Sequence, residues 1–91
     1  MDFSVIKKSG VTQQEFAELV GVGRVTVNLW VRGKMNPNLE VQPTVLWHLE
    51  MLDRAVEAGD LPPPDHLRPR SRTPHIKRAL ISARRAMREA N

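Results

Sequence analysis

The triplet Gly21-Val22-Gly23 constrains this chain most, because it separates two segments whose apolar residues follow different spacings. Glycine enters the left-handed backbone region without a Cβ clash, so Gly21 can reverse the chain within three residues. Upstream, Val11-Thr12-Gln13-Gln14-Glu15-Phe16 carries a helix start. The Thr12 hydroxyl is placed to accept from the Glu15 backbone N–H, while the Glu15 carboxylate reaches back to the N–H of Thr12. Val11 and Phe16 occupy the two staple positions that fix the incoming chain. Phe16, Leu19 and Val20 continue at helical spacing with Ala17 as the small residue among them, which predicts a helix ending near Val20.

The segment after the turn, residues 24–32, reads two ways. Val25, Val27, Leu29 and Val31 alternate as in a strand, and β-branched residues favour that state. Read as a helix, Val27 and Trp30 form the inward stripe, while Arg24, Val25, Asn28, Leu29 and Arg32 point outward. Local propensity slightly prefers the strand. The preceding helix and turn decide for a helix, since a lone strand would have nothing to pair with.

The flanks supply the rest of an all-α core. A helix is expected over about residues 2–9, with Phe3 and Ile6 inward and Gly10 as its stop. Residues 33–38 have loop composition. Pro43 suits the first turn of a longer helix that ends at Gly59. That helix carries one stripe of Val45, Leu49, Leu52 and Val56 and a second of Trp47, Met51, Ala55 and Ala58. Two apolar faces exceed the needs of a four-helix core, so one is expected to meet another chain, most simply a twin copy. Five of the seven prolines fall between Pro62 and Pro74, and residues 61–73 read as an extended linker. Thr73-Pro74 then starts a last helix with Ile76, Leu80, Ala83, Met87 and Ala90 along one seam. The expected organisation is a domain over 1–60, a Pro-rich linker over 61–73 and a basic amphipathic helix over 74–91.

Charge distribution narrows the partners. Of 14 Lys and Arg against 10 Asp and Glu, residues 1–64 hold six basic and eight acidic, whereas 65–91 hold eight basic and two acidic. No acid lies between Gly21 and Leu39, while Arg24, Arg32 and Lys34 all do. Two basic zones on a mildly acidic body suggest a polyanion. Cysteine is absent, which excludes disulfides, thiolate metal sites and Cys nucleophiles. His48, His66 and His75 have no second ligand at metal spacing, so no metal or cofactor is expected. No serine has a visible His and Asp partnership and no phosphate-cradling glycine loop occurs, so no enzyme is expected. Without a signal-peptide run or a membrane span, the expected location is the cytoplasm, with no membrane partner.

Two helices joined by a glycine turn, the second presenting polar and basic residues, form the helix-turn-helix pattern. The run Thr12-Gln13-Gln14-Glu15-Phe16-Ala17-Glu18-Leu19-Val20-Gly21-Val22-Gly23-Arg24-Val25-Thr26-Val27-Asn28-Leu29-Trp30, followed by Arg32-Gly33-Lys34, resembles the Cro/C1-type (XRE, lambda-repressor-like) DNA-binding domain. The resemblance covers 12–34 in motif and about 2–58 in architecture. It implies a small four-helix helix-turn-helix bundle, here followed by the linker and the basic helix. It also implies a transcriptional regulator, in the first instance a repressor, that binds a palindromic operator in double-stranded DNA as a homodimer.

Carried over by position, Arg24, Val25, Asn28 and Leu29 would read base edges, and Gln13, Gln14, Arg32 and Lys34 would contact phosphates. Lys77, Arg78, Arg84, Arg85 and Arg88 are candidate accessory DNA contacts. Trp47, Met51, Ala55, Ile76, Leu80 and Met87 are candidate dimer contacts, divided between the long helix and the tail. The chain departs from the family in the apolar Val25, Leu29 and Val31, and in Gly23, which offers no side chain. Two other readings stand beside this one. The chain could be an antitoxin or adaptor whose residues 61–91 bind a partner protein, with DNA binding used for autoregulation. Alternatively it could be an architectural binder dominated by its tail.

Overall fold

The computed structural model describes residues 1–89, which form five helices and no strand: α1 (Ser4–Lys8), α2 (Gln13–Val20), α3 (Arg24–Val31), α4 (Gln42–Glu57) and α5 (Pro69–Glu89). The expected four-helix bundle is therefore extended by a fifth packed helix. Residues 24–31 are helical, so the strand alternative fails. Their inward stripe decides it: Val27 and Trp30 are buried against the bundle, burial that a lone strand could not obtain.

Local chemistry explains the first three helices. Asp2 accepts from both the backbone N–H and the hydroxyl of Ser4, which starts α1 later than its expected residue 2. The capping box of α2 forms as its sequence requires. Thr12 Oγ1 accepts from the Glu15 N–H at 3.0 Å, and Glu15 accepts from the Thr12 N–H at 2.9 Å. Gly21, with φ 79°, ends α2 in the left-handed conformation, and its N–H donates to the Ala17 carbonyl. Ala17 is wholly buried where α2 and α3 cross. Across the bundle, Phe3 stacks on Trp30 with ring centroids 6.0 Å apart, tying the start of the chain to α3.

The C-terminal third departs from expectation. The last helix begins at Pro69, not Pro74, and Pro74 lies inside it. Arg68 provides the turn, its carbonyl accepting from Ser71 and Arg72 N–H groups. An internal proline removes one helical hydrogen bond. Here the helix is held by burial of Ile76, Ala79, Leu80 and Ala83 in the same core as Phe16 and Leu52. Leu61 and Pro63 are buried too, so the expected linker packs on the body over part of its length.

α4 packs on α1, α2 and α5. Most of both apolar stripes is consequently covered within one chain, with Ala58 left exposed, and the surplus stripe does not require a twin copy. Met51, Ala55, Ile76 and Leu80, expected as candidate dimer contacts, are buried in the core and offer no free surface. Trp47 and Met87 are half-buried against that core. Ala90, placed on the tail seam, lies outside the described residues.

Candidate nucleic-acid interface

α3 presents its outer side as the helical reading requires. Arg24, Val25 and Arg32 are exposed, Val25 to 70%, while Asn28 and Leu29 are half-buried. The exposure of Val25 puts two methyl groups where a ligand can cover them. Gly23, the N-cap, makes no side-chain cap. The Val22–Arg24 turn therefore leaves the first backbone N–H groups of α3 without an internal acceptor at that cap.

The two helices are joined by side chains at this face. Asn28 Nδ2 donates to Gln13 Oε1 at 3.0 Å. Gln13 is the first residue of α2, so the bond connects the start of one helix to the middle of the other. An amide nitrogen carries two hydrogens. Asn28 therefore retains one donor and its carbonyl oxygen, the pair that recognises the adenine major-groove edge. Gln14 is exposed and donates from Nε2 to Glu18 at 3.0 Å, a bond within α2 that uses one of its two amide hydrogens.

Beyond α3, Arg32 and Lys34 are exposed, and the Lys34 N–H closes the turn on the Leu29 carbonyl. An open groove beside them is lined by Phe3, Lys7, Val11, Gln13, Trp30 and Gly33. It joins Gln13 to the end of α3 along one edge. Lys7 and Asp2 line it with Gln13, a neighbourhood set by how α1 docks on the bundle. Trp30 is 3% exposed, and its indole N–H has no hydrogen-bond partner among the described residues.

Glu15 carries a further function that its capping motif does not disclose. Arg72 donates from Nε to Glu15 Oε2 and from Nη2 to Glu15 Oε1, both at 3.0 Å, and Nη2 also donates to the Gly10 carbonyl at 2.6 Å. Partial burial pushes the Glu15 carboxyl up. The Arg72 hydrogen bonds, the Thr12 N–H and the guanidinium charge outweigh it and hold the carboxyl below the usual glutamate range. The same pairing raises Arg72. Fifty-seven residues separate the partners, so no local motif announces the pair.

The remaining basic residues of α5 are all exposed: Arg70, Lys77, Arg78, Arg84, Arg85 and Arg88. Lys77 borders a small groove with Glu15, Glu18 and Leu19. Arg78 lies beside Asp60, and the following turns run along the end of α4 near Arg54 and Glu57. Among the described residues, no three His, Cys, Asp or Glu side chains gather as a metal site, and no helix is long and apolar enough to cross a membrane.

Residues 4–41 match the family model described as helix-turn-helix. No curated protein and no solved structure matches the chain. A helix-turn-helix domain is present at the N-terminus, and it supports a DNA-binding regulatory role in general.

Proposed function

We propose that the chain is a sequence-specific transcriptional regulator that binds a palindromic operator as a homodimer and represses by occluding the promoter. The observation that carries this reading is the outer side of α3. Its cations and methyl groups face solvent, while Val27 and Trp30 anchor the opposite side. A helix of this width and polarity fits the major groove.

In this reading Arg24 pairs with a guanine through two parallel hydrogen bonds, and Val25 and Leu29 contact thymine methyl groups. Asn28 reads an adenine while Gln13 holds it in place. Gln13, Gln14, Arg32 and Lys34 contact phosphates and set the position of the helix without specifying sequence. The cations of α5 beyond its first two turns add long-range attraction.

A single α3 spans too few base pairs to select one site in a genome. Two copies with recognition helices about 34 Å apart read successive major grooves on one side of the duplex. Since Met51, Ala55, Ile76 and Leu80 are used internally, the dimer contact falls to apolar side chains left outside, of which Leu39 precedes α4 and Leu46 lies on it. The expected affinity for the operator is about 10⁻⁸ to 10⁻¹¹ M.

The test is selection of bound duplexes from a random pool with the full chain. Enrichment of an inverted repeat supports the reading. Recovery of sequences with no common motif refutes it and leaves an architectural binder.

A further inference from the structure

We propose that the start of α5 is a second phosphate-contacting edge of the interface, in which Arg68, just before the helix, and Arg70, in its first turn, grip the DNA backbone beside the start of α2. The inference rests on the DNA-binding reading above and adds two residues that neither the motif nor the resemblance assigns.

Placement comes first. Arg72 binds the Glu15 carboxylate and the Gly10 carbonyl, so the beginning of α5 is tied to the beginning of α2. The approach is close on the other side as well. A Cβ on Gly10 would stand 2.7 Å from Pro62 Cβ, which leaves room only for glycine. Arg68 and Arg70 lie within one turn of this anchor and are exposed. Gln13, the phosphate contact of α2, shares the first turn of that helix with Glu15, on the side toward Asn28 rather than toward Arg72, so the starts of α2 and α5 lie at the same end of the bundle.

Charge comes second. Glu15 is the acidic residue in the first turn of α2, and an unpaired carboxylate there would repel an approaching phosphate. The Arg72 ion pair, with side chains only 23% and 15% exposed, neutralises it. Among the described residues the ion pairs are Lys8–Asp53, Arg54–Glu50 and Arg72–Glu15, so Arg68 and Arg70 keep their charge free for another partner.

Direction comes third. α5 passes from Gly10 and Glu15 at Arg72 to Glu18 and Leu19 near Ile76 and Lys77. It therefore runs the same way as α2, away from the phosphate end. At 1.5 Å per residue, Arg84 to Arg88 lie about 18 to 24 Å along the helix from Arg72. The two ends of α5 should thus differ sharply in their effect on DNA.

The experiment measures affinity of the full chain for its selected duplex between 50 and 200 mM salt. Each phosphate contact contributes about 0.9 to the slope of log K against log salt. The paired substitution Arg68→Ala with Arg70→Ala is expected to flatten the slope by about two to four for the dimer on its palindromic duplex, one to two per half-site, and to leave base preference unchanged. Arg84→Ala with Arg85→Ala removes the same charge and should change the slope much less. Equal slopes for the wild type and the first pair would overturn the inference, as would equal flattening by both pairs. Absence of any motif preference in the wild type would instead defeat the sequence-specific reading on which the inference rests. All four side chains are exposed, and unchanged thermal unfolding verifies that the variants remain folded.

Discussion

Asn28 reaches across from α3 to Gln13 at the start of α2 through a 3.0 Å hydrogen bond. A residue proposed to read a base is thereby oriented by one proposed to hold a phosphate. Contact at either site should then depend on the other. Asn28→Ala is expected to cost about 1–3 kcal/mol per half-site in operator binding and relax preference at one base pair in each. Gln13→Ala should weaken binding to every sequence and also soften that same preference. A double-mutant cycle on operator affinity should give a coupling of at least about 0.5 kcal/mol. Strict additivity would show that the bond has no role in recognition.

Val25 has little to lose from truncation in the folded protein, because 70% of its surface is already in water. Val25→Ala should shift stability by no more than about 0.5 kcal/mol. Its effect should appear in binding, as reduced discrimination for thymine at one position. Parallel measurement of thermal unfolding and of relative affinities for thymine and uracil at each site separates the two. An unchanged thymine-to-uracil ratio at all positions would remove Val25 from the base contacts.

The Glu15–Arg72 pair predicts an acid-sensitive fold. Because the folded carboxyl titrates below its ordinary value of about 4.3, the pair stabilises fully above that value. Its contribution is lost as pH falls through the lower folded value. Glu15→Gln should therefore be less stable than the wild type at pH 7, and the gap should narrow below about pH 4. Arg72→Ala should cost about 1–3 kcal/mol at neutral pH, since it leaves the Gly10 carbonyl and a partly buried carboxylate without their donor. Thermal melts from pH 7 to 3 test both; a gap that stays constant across this range contradicts the assignment.

α5 should behave as part of the core. Ile76→Ala or Leu80→Ala is expected to destabilise the chain by about 2–5 kcal/mol, as for other buried aliphatic residues. Ile81, one residue further and 56% exposed, should tolerate alanine within about 0.5 kcal/mol. Urea titrations of the three variants distinguish a docked helix from a detached arm, for which all three would be nearly equal. Truncation after residue 60 should likewise expose part of α4 and leave a poorly stable fragment.

Much of the helix-turn-helix half was legible because its determinants are close together in the chain. Thr12 and Glu15 cap one helix three residues apart, Gly21 has nothing to clash in its left-handed turn, and Val27 and Trp30 mark one side of the next helix. The alternating valines of α3 point toward a strand, and only burial against α2 overrides them. The prolines of residues 61–74 mislead for a related reason: they report the preferences of an isolated chain, whereas Leu61 and Pro63 are buried on a neighbouring surface. The second stripe of α4 was visible in the sequence, but its cover was not, because apolar spacing does not say which helix will meet it.

Sequence alone determined the capping box, the glycine turn and the anchored stripe of α3, since each depends on backbone geometry and hydrogen bonds spanning a few residues. Tertiary structure decided that α5 completes the core, that Arg72 meets Glu15 from 57 residues away, and that Asn28 meets Gln13. Those outcomes depend on the complementarity of surfaces formed only after the helices exist, and no short-range pattern encodes it.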